Sequence, residues 1–306
     1  MLRSAHVKIN CLLLLTCLFS ACASTPTGPE VSFDEGALRD DDQDLMFVTE
    51  FPVTSKTEAL QRAAEARKEG ELDKTLFLYV KALKFDPQDA QLLAEIGHLH
   101  RVQRNTRMAV RAYTLALNER PDYAAVLEAR GLLYLTHNEN NRAAIDLNRA
   151  VEINGGTWPV RNALGLLADR AGDHVTAQHH YTIAIGLNPD SGDILNNRGY
   201  SRFRSGDYKE AGRDLYKAAH TLGHKQAWVN LGVWYAHHGE YDMAIEALQK
   251  VLPGPEAFNI VAEKSIQYGD FETARYLLEQ AIRLSPTYFP AAEENLVKLK
   301  LHAAGS

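Results

Sequence analysis

The run Trp228-Val229-Asn230-Leu231-Gly232-Val233-Trp234-Tyr235, completed by Ala244 and Leu248, decides the fold. Trp228, Leu231, Gly232 and Tyr235 recur at the i, i+3, i+4, i+7 spacing of one helix face. A glycine in the middle of such a face weakens a helix unless a neighbour must come very close. Gly239-Glu240 breaks the run, and Ala244 and Leu248 lie on a second short helix. Gly232 lets the two backbones approach, and a large residue on the second helix fills the adjoining gap.

Outward from this unit the pattern returns with a period near 34 residues. The small residue recurs as Gly97, Gly131, Gly165, Gly199, Gly232 and Ala262. On the second helix it recurs as Ala109, Ala143, Ala177, Ala211, Ala244 and Ala274, and again as Ala82, Ala116, Ala150, Ala184, Ala218 and Ala281. Between these stand Tyr79, Tyr113, Leu147, Tyr181, Leu215, Leu248 and Leu278. Gly70, Gly172, Gly206, Gly239 and Gly269, each followed by an acid, supply the positive φ that ends a first helix. Pro87, Pro121, Pro189 and Pro286 end second helices.

This pattern resembles the tetratricopeptide repeat (TPR) signature of Trp, Leu-Gly, Tyr, Ala, Phe and Pro at fixed offsets. The resemblance implies an all-α, right-handed superhelix, an α-solenoid of about seven helix pairs plus a C-terminal capping helix. The array is expected over 56–288, with repeats near 56–89, 90–123, 124–157, 158–191, 192–224, 225–254 and 255–288. Residues 289–306 form the capping helix and tail, with Glu293, Glu294, Lys298 and Lys300 on its solvent side. Three copies are irregular. Gly155-Gly156 replaces Pro in the third and is expected to loosen the joint. The fifth ends at Gly223. The sixth stops early at Pro253-Gly254-Pro255, where a kink is expected.

The chain has 306 residues and a formal net charge of -6, which argues against nucleic acid as a partner. Its three cysteines, Cys11, Cys17 and Cys22, all lie in the first 22 residues, so the body has no disulfide, thiolate nucleophile or Cys-based metal site. Residues 1–21 read as a lipoprotein signal peptide. Arg3 and Lys8 open it, and the apolar run from Cys11 to Phe19 is too short to span a bilayer. Leu18-Phe19-Ser20-Ala21-Cys22 resembles a bacterial lipobox, with Phe19 where Leu is usual. The resemblance implies acylation of Cys22, a membrane anchor worth about 0.8 kcal/mol per buried CH₂. By resemblance to the enterobacterial sorting rule, in which Asp after the Cys retains a lipoprotein at the inner membrane, Ala23 and Ser24 imply the outer membrane, facing the periplasm. The alternative is an ordinary signal peptide cut near Ala21 or Ala23.

Residues 22–55 read as the lipidated Cys and an acidic disordered tether. Glu30, Asp34, Glu35, Asp40, Asp41, Asp42, Asp44 and Glu50 stand there against one base, Arg39. Leu45-Met46-Phe47-Val48 with Phe51 is the exception, either a docking motif or, the favoured reading, a patch that packs on the first repeat.

No HExxH, GxSxG, GxGxxG or P-loop pattern occurs. His179-His180 and His237-His238 are adjacent on helices and so point apart. His220 and His224 are four apart, with only Asp214 at ligand spacing. The reading is therefore no enzyme, no cofactor and no metal.

In TPR arrays the first helices line the concave face. The candidate partner groove is Asn162, Leu166, Asp169 and Arg170; Asn196, Tyr200, Phe203 and Arg204; and Val229, Val233, Ala236 and His237. Asn162 and Asn196 are 34 apart and are expected to stack, offering donors and acceptors to a peptide backbone. Tyr200, Phe203 and Trp234 are candidate aromatic anchors, against the alternative that they pack between repeats. The paired Lys and Asn of the chaperone carboxylate clamp are missing.

Arg161-Asn162-Ala163-Leu164-Gly165 with Ala171-Gly172-Asp173, Leu195-Asn196-Asn197-Arg198-Gly199-Tyr200-Ser201, and Asn230-Leu231-Gly232 are similar to the TadD family of TPR lipoproteins from tight-adherence (Flp) pilus systems. That resemblance implies a pilotin-like role, with a secretin or other pilus-assembly components as partners. The alternatives are an adaptor that recruits peptidoglycan hydrolases and a protease, a type IV pilus pilotin and, least favoured, a periplasmic hydrolase.

Overall fold

The structure, a computed structural model, describes residues 53–304. The signal peptide, Cys22, the acidic stretch and the 45–51 patch lie outside the described residues. Among the described residues there are fifteen α-helices and no strand. In chain order they are α1 (Lys56–Lys68), α2 (Leu72–Leu83), α3 (Ala90–Val102), α4 (Thr106–Glu119), α5 (Ala124–Thr136), α6 (Asn140–Asn154), α7 (Trp158–Arg170) and α8 (His174–Leu187). Then follow α9 (Gly192–Ser205), α10 (Tyr208–Tyr216), α11 (Lys225–His237), α12 (Tyr241–Gln249), α13 (Gly254–Gln267), α14 (Phe271–Leu284) and α15 (Pro290–Ala304).

Odd and even helices pack as antiparallel pairs, and each even helix also packs on the next odd one. This gives the expected solenoid of seven pairs and a final helix. Side chains set the starts. Ser55, Asp89, Asn105, Asp173, Ser191, Asp207 and Asp270 each accept a hydrogen bond from a first-turn backbone N–H.

The glycine–large residue rule holds within the pairs. A Cβ on Gly97 would stand 2.5 Å from the Tyr113 ring, one on Gly165 2.5 Å from Tyr181, and one on Gly232 2.7 Å from Leu248. Tyr113, Tyr181, Leu147, Leu215, Leu248 and Leu278 are fully enclosed as a result.

The joint at Gly155-Gly156 is pinned, contrary to the expected loosening. The Arg161 guanidinium donates to the Gly155 carbonyl at 2.9 and 2.6 Å, and the Gly156 N–H reaches Asn154 Oδ1 at 2.9 Å. Both glycines have positive φ, and a Cβ on Gly156 would lie 2.7 Å from Val151. Tight backbone there replaces the proline.

At the fifth repeat, α10 runs on through a π turn over Lys217–Thr221 to Gly223, which has φ +65°. The sixth repeat has a second helix of only 9 residues, α12. Across the Pro253 joint α11 touches α13 directly, and one apolar cluster joins Ala236, Leu248, Val261, Leu278 and Leu299. On α15, Ala292, Leu296 and Leu299 are buried, whereas Glu294, Val297 and Lys298 are exposed. Val53 packs on the core of the first pair.

Candidate functional site

The candidate face is built on α7, α9 and α11. The asparagines bond across the repeats one place out of register. Asn197 Nδ2 donates to Asn162 Oδ1 at 3.1 Å, and Asn230 Nδ2 donates to Asn196 Oδ1 at 2.8 Å. Each groove asparagine thus meets the residue one place further along in the next repeat. Asn196 is buried and Asn162 half-buried, so these amides join repeats. Asn295 repeats the motif on Asn259 at 3.1 Å. At the joint between these two pairs, the matching positions hold Val229 and Ile260, both packed against the last core cluster. Leu166 likewise packs on the core around Tyr181 and Ile194.

Asp169 is also committed. It accepts from the Tyr181 hydroxyl at 2.9 Å, Ser201 Oγ at 2.7 Å and His174 Nδ1 at 2.8 Å. These bonds tie α7, α8 and α9 together. Burial, then the Asp169 charge, pushes the Tyr181 pKa far up, so its hydroxyl stays a donor.

Arg170, Tyr200 and Arg204 are exposed. Arg170 donates to Asn140 Oδ1 at 2.8 Å. Val233 is half-buried and Ala236 is buried. Trp234 packs between repeats, its Nε1 donating to the Tyr208 carbonyl at 2.7 Å and its ring above Gly212.

Phe203 and His237 belong to an aromatic ridge that crosses three repeats. Ring centroids are 5.5 Å apart for Phe203–Tyr208, 4.2 Å for Tyr208–His237 and 5.0 Å for His237–Tyr268. Tyr208 and Tyr268 are 37 % and 39 % exposed. Burial, then His238, lowers the His237 pKa. Sequence reasoning missed Tyr208 and Tyr268. For Tyr208 a signal existed: Gly206-Asp207-Tyr208, Gly239-Glu240-Tyr241 and Gly269-Asp270-Phe271 place an aromatic two residues after the turn glycine, whereas Tyr268 stands just before its glycine and outside that pattern.

Among the described residues no three His, Cys, Asp or Glu side chains converge as a metal site. His220 stacks on Tyr216 and meets Trp228, whereas His224 caps α11 and bonds Asp193 at 2.8 Å. The face offers guanidinium donors, exposed rings and half-buried valines, which suit recognition.

A family profile for the tetratricopeptide repeat matches residues 95–156 and 162–223, and a second one for the same repeat matches residues 225–252. BBSome complex member bbs-4 of Caenorhabditis elegans is 26 % identical over 148 residues, 48 % of this chain and 32 % of that protein. The chain thus spans about a third of the length of that curated relative. A tetratricopeptide repeat protein from Parabacteroides merdae superposes with a TM-score of 0.57 at 19 % identity, over 81 % of this chain and all of that one. Cut9–Hcn1 of the APC/C gives a TM-score of 0.53 at 17 % identity, covering 80 % of this chain and 51 % of that one. YrrB gives 0.50 at 18 %, covering 74 % and 98 %.

Proposed function

Starting from a chain that carries tetratricopeptide repeats, we propose that it is a non-catalytic, lipid-anchored outer-membrane scaffold that holds pilus-assembly partners through the face of α7, α9 and α11. The observation that carries the binding role is the division of labour on that face. The asparagine pairs and Asp169 fasten one repeat to the next. Tyr200, Arg204 and the Phe203–Tyr208–His237–Tyr268 ridge are thereby held on a rigid frame, and Tyr200 and Arg204 are exposed. A preorganised face of this kind limits the entropy lost on binding. Proteins of this fold do such work: YrrB has an unusual peptide-binding site, and Cut9 stands in a hetero-tetramer with Hcn1.

The anchor rests on Cys22 in its lipobox-like context, and the pilotin role on the resemblance of the Asn162, Asn196 and Asn230 segments to tight-adherence lipoproteins. The test is a pull-down through a C-terminal tag from detergent-solubilised outer membrane, with Cys22→Ala in parallel. Recovery of a secretin, with secretin rings lost or misplaced in the variant, is the expected result. Recovery of wall hydrolases with normal secretin rings refutes the pilotin reading in favour of the adaptor.

A further inference from the structure

The turn between α3 and α4 departs from its six counterparts. At the left-handed position of these turns, five copies have glycine: Gly70, Gly172, Gly206, Gly239 and Gly269, with φ between 74° and 89°. One has Asn138 at φ 61°, and one has Arg104 at φ 60°. Glycine takes this conformation freely and asparagine tolerates it, but arginine is strained there.

The next choices run the same way. Arg107 stands in the first turn of α4, where the helix field disfavours a cation. α10, α12 and α14 have Glu210, Asp242 and Glu272 in that turn. Arg111 follows one turn on, and like charges four residues apart on a helix repel. All three arginines are exposed. None forms an ion pair among the described residues, whereas Arg67 pairs with Glu95, Lys74 with Glu71 and Arg142 with Glu139.

Aliphatic side chains border this row. Leu115 lies one turn beyond Arg111 on the same face of α4 and is 44 % exposed. Ile145, at the Arg111 position of the next repeat, is 70 % exposed, and Val102 before the turn is 58 % exposed. The positive φ at Arg104, the cation in the first turn and the like-charged Arg107–Arg111 pair each work against folding. Rules broken together at one place without a packing gain mark a functional surface.

We infer that the Arg104–Arg107–Arg111 row is a second docking surface, on the second helices of the second and third repeats, for an acidic, aliphatic-rich segment of a protein partner. Three unneutralised guanidinium groups match carboxylates in charge and in fork geometry. Leu115, Ile145 and Val102 take the apolar side chains between those acids. The bordering residues include none of the Trp or Tyr that favour a bilayer interface, nor rings on which bases would stack, so a protein segment fits better than a membrane or a nucleic acid. The surface is separate from the face of α7, α9 and α11, and the inference does not rest on that face or its partners.

The test uses the full chain in detergent and a short fluorescent peptide of repeating Glu-Leu-Asp, followed by anisotropy. Binding is expected, weakening with salt. Arg107→Glu with Arg111→Glu weakens it about tenfold or more, and Tyr200→Ala leaves it unchanged. Arg104→Gly is expected to weaken binding while raising Tm, a pairing that a purely structural arginine would not give. Equal binding by the Arg107→Glu/Arg111→Glu protein overturns the inference. So does a fall in Tm on Arg104→Gly, or retention on phosphatidylglycerol vesicles with no binding of the peptide.

Discussion

Arg198 holds Asp214 through two parallel hydrogen bonds, Nε to Oδ2 at 2.8 Å and Nη2 to Oδ1 at 2.9 Å. Two repeats earlier, Arg130 holds Asp146 in the same way, at 2.7 and 2.9 Å. The remaining arm of each arginine reaches a threonine, Thr182 at 3.2 Å and Thr114 at 3.0 Å. The aspartates are 8 % and 5 % exposed. The clamp joins the two helices of its repeat to the second helix of the repeat before it. Asp214 also takes Arg202 at 2.6 Å.

Breaking one side of a buried pair leaves an uncompensated charge and costs about 3–5 kcal/mol. Asp214→Ala strands two arginines and is expected at the upper end, with Asp146→Ala below it. Replacing Arg130 and Asp146 together by Met and Leu recovers most of the loss, because two apolar groups of similar volume need no counter-ion. Thermal unfolding of the four proteins checks the order. Equal, small shifts in both aspartate variants would mean that the clamps are not stabilising.

Glycine substitutions should change sign with location. Gly165→Ala pushes a methyl group to 2.5 Å from the Tyr181 ring. That ring is fully enclosed, so overpacking costs about 1–3 kcal/mol. Gly186 is the next-to-last residue of α8, with nothing within 4 Å of its added Cβ. Gly186→Ala therefore stabilises through helix propensity alone, by at most about 0.5–1 kcal/mol. Urea unfolding of both variants decides the matter, and a destabilising Gly186→Ala would contradict the argument.

These glycines also show which part of the fold the sequence carried openly. A close contact demands the same small residue in every copy, so Gly97, Gly165 and Gly232 announced the helix pairs by spacing alone. Function was less legible. The position of Asn162 on its helix faces both the groove and the neighbouring repeat, and spacing does not say which one takes the amide. The structure gives it to Asn197. Trp234 was ambiguous for the same reason, until Gly212 was seen beneath its ring. The Gly155-Gly156 joint misled because its stiffness comes from Arg161, six residues away from the carbonyl it grips. The Arg104 row was hidden in another way, since a non-glycine residue at positive φ is a fact of the backbone.

Acid should weaken the array through its buried histidines. Burial is the main force that lowers the pKa of His98, His100, His180 and His237 below the usual 6.5. The unfolded chain then binds more protons than the folded one between the lowered values and about 6.5. Stability is fully present above that window and is lost as pH falls through it. His100 is 7 % exposed, and its Nδ1 has no partner among the described residues. His100→Gln should flatten the profile of Tm against pH between pH 7 and pH 5, a range set by the ordinary histidine value. An unchanged slope in that variant would assign the acid loss to other groups.

Partner capture should separate from stability on the face of α9. Tyr200 and Arg204 are exposed, one turn apart on that helix. Asn196 on the same helix is buried and bonded to Asn230. Tyr200→Ala with Arg204→Glu removes a ring and reverses a charge where a partner would dock, and Tm should stay within a degree or two, as for other surface changes. Asn196→Ala instead leaves the Asn230 amide without its acceptor and should cost about 1–3 kcal/mol. The check is to run both variants through the secretin pull-down beside a melting curve. Loss of capture at unchanged Tm in the first variant, with lower Tm in the second, is the expected pattern. Full capture by the Tyr200→Ala/Arg204→Glu protein would remove this face from the binding site, whatever the partner proves to be.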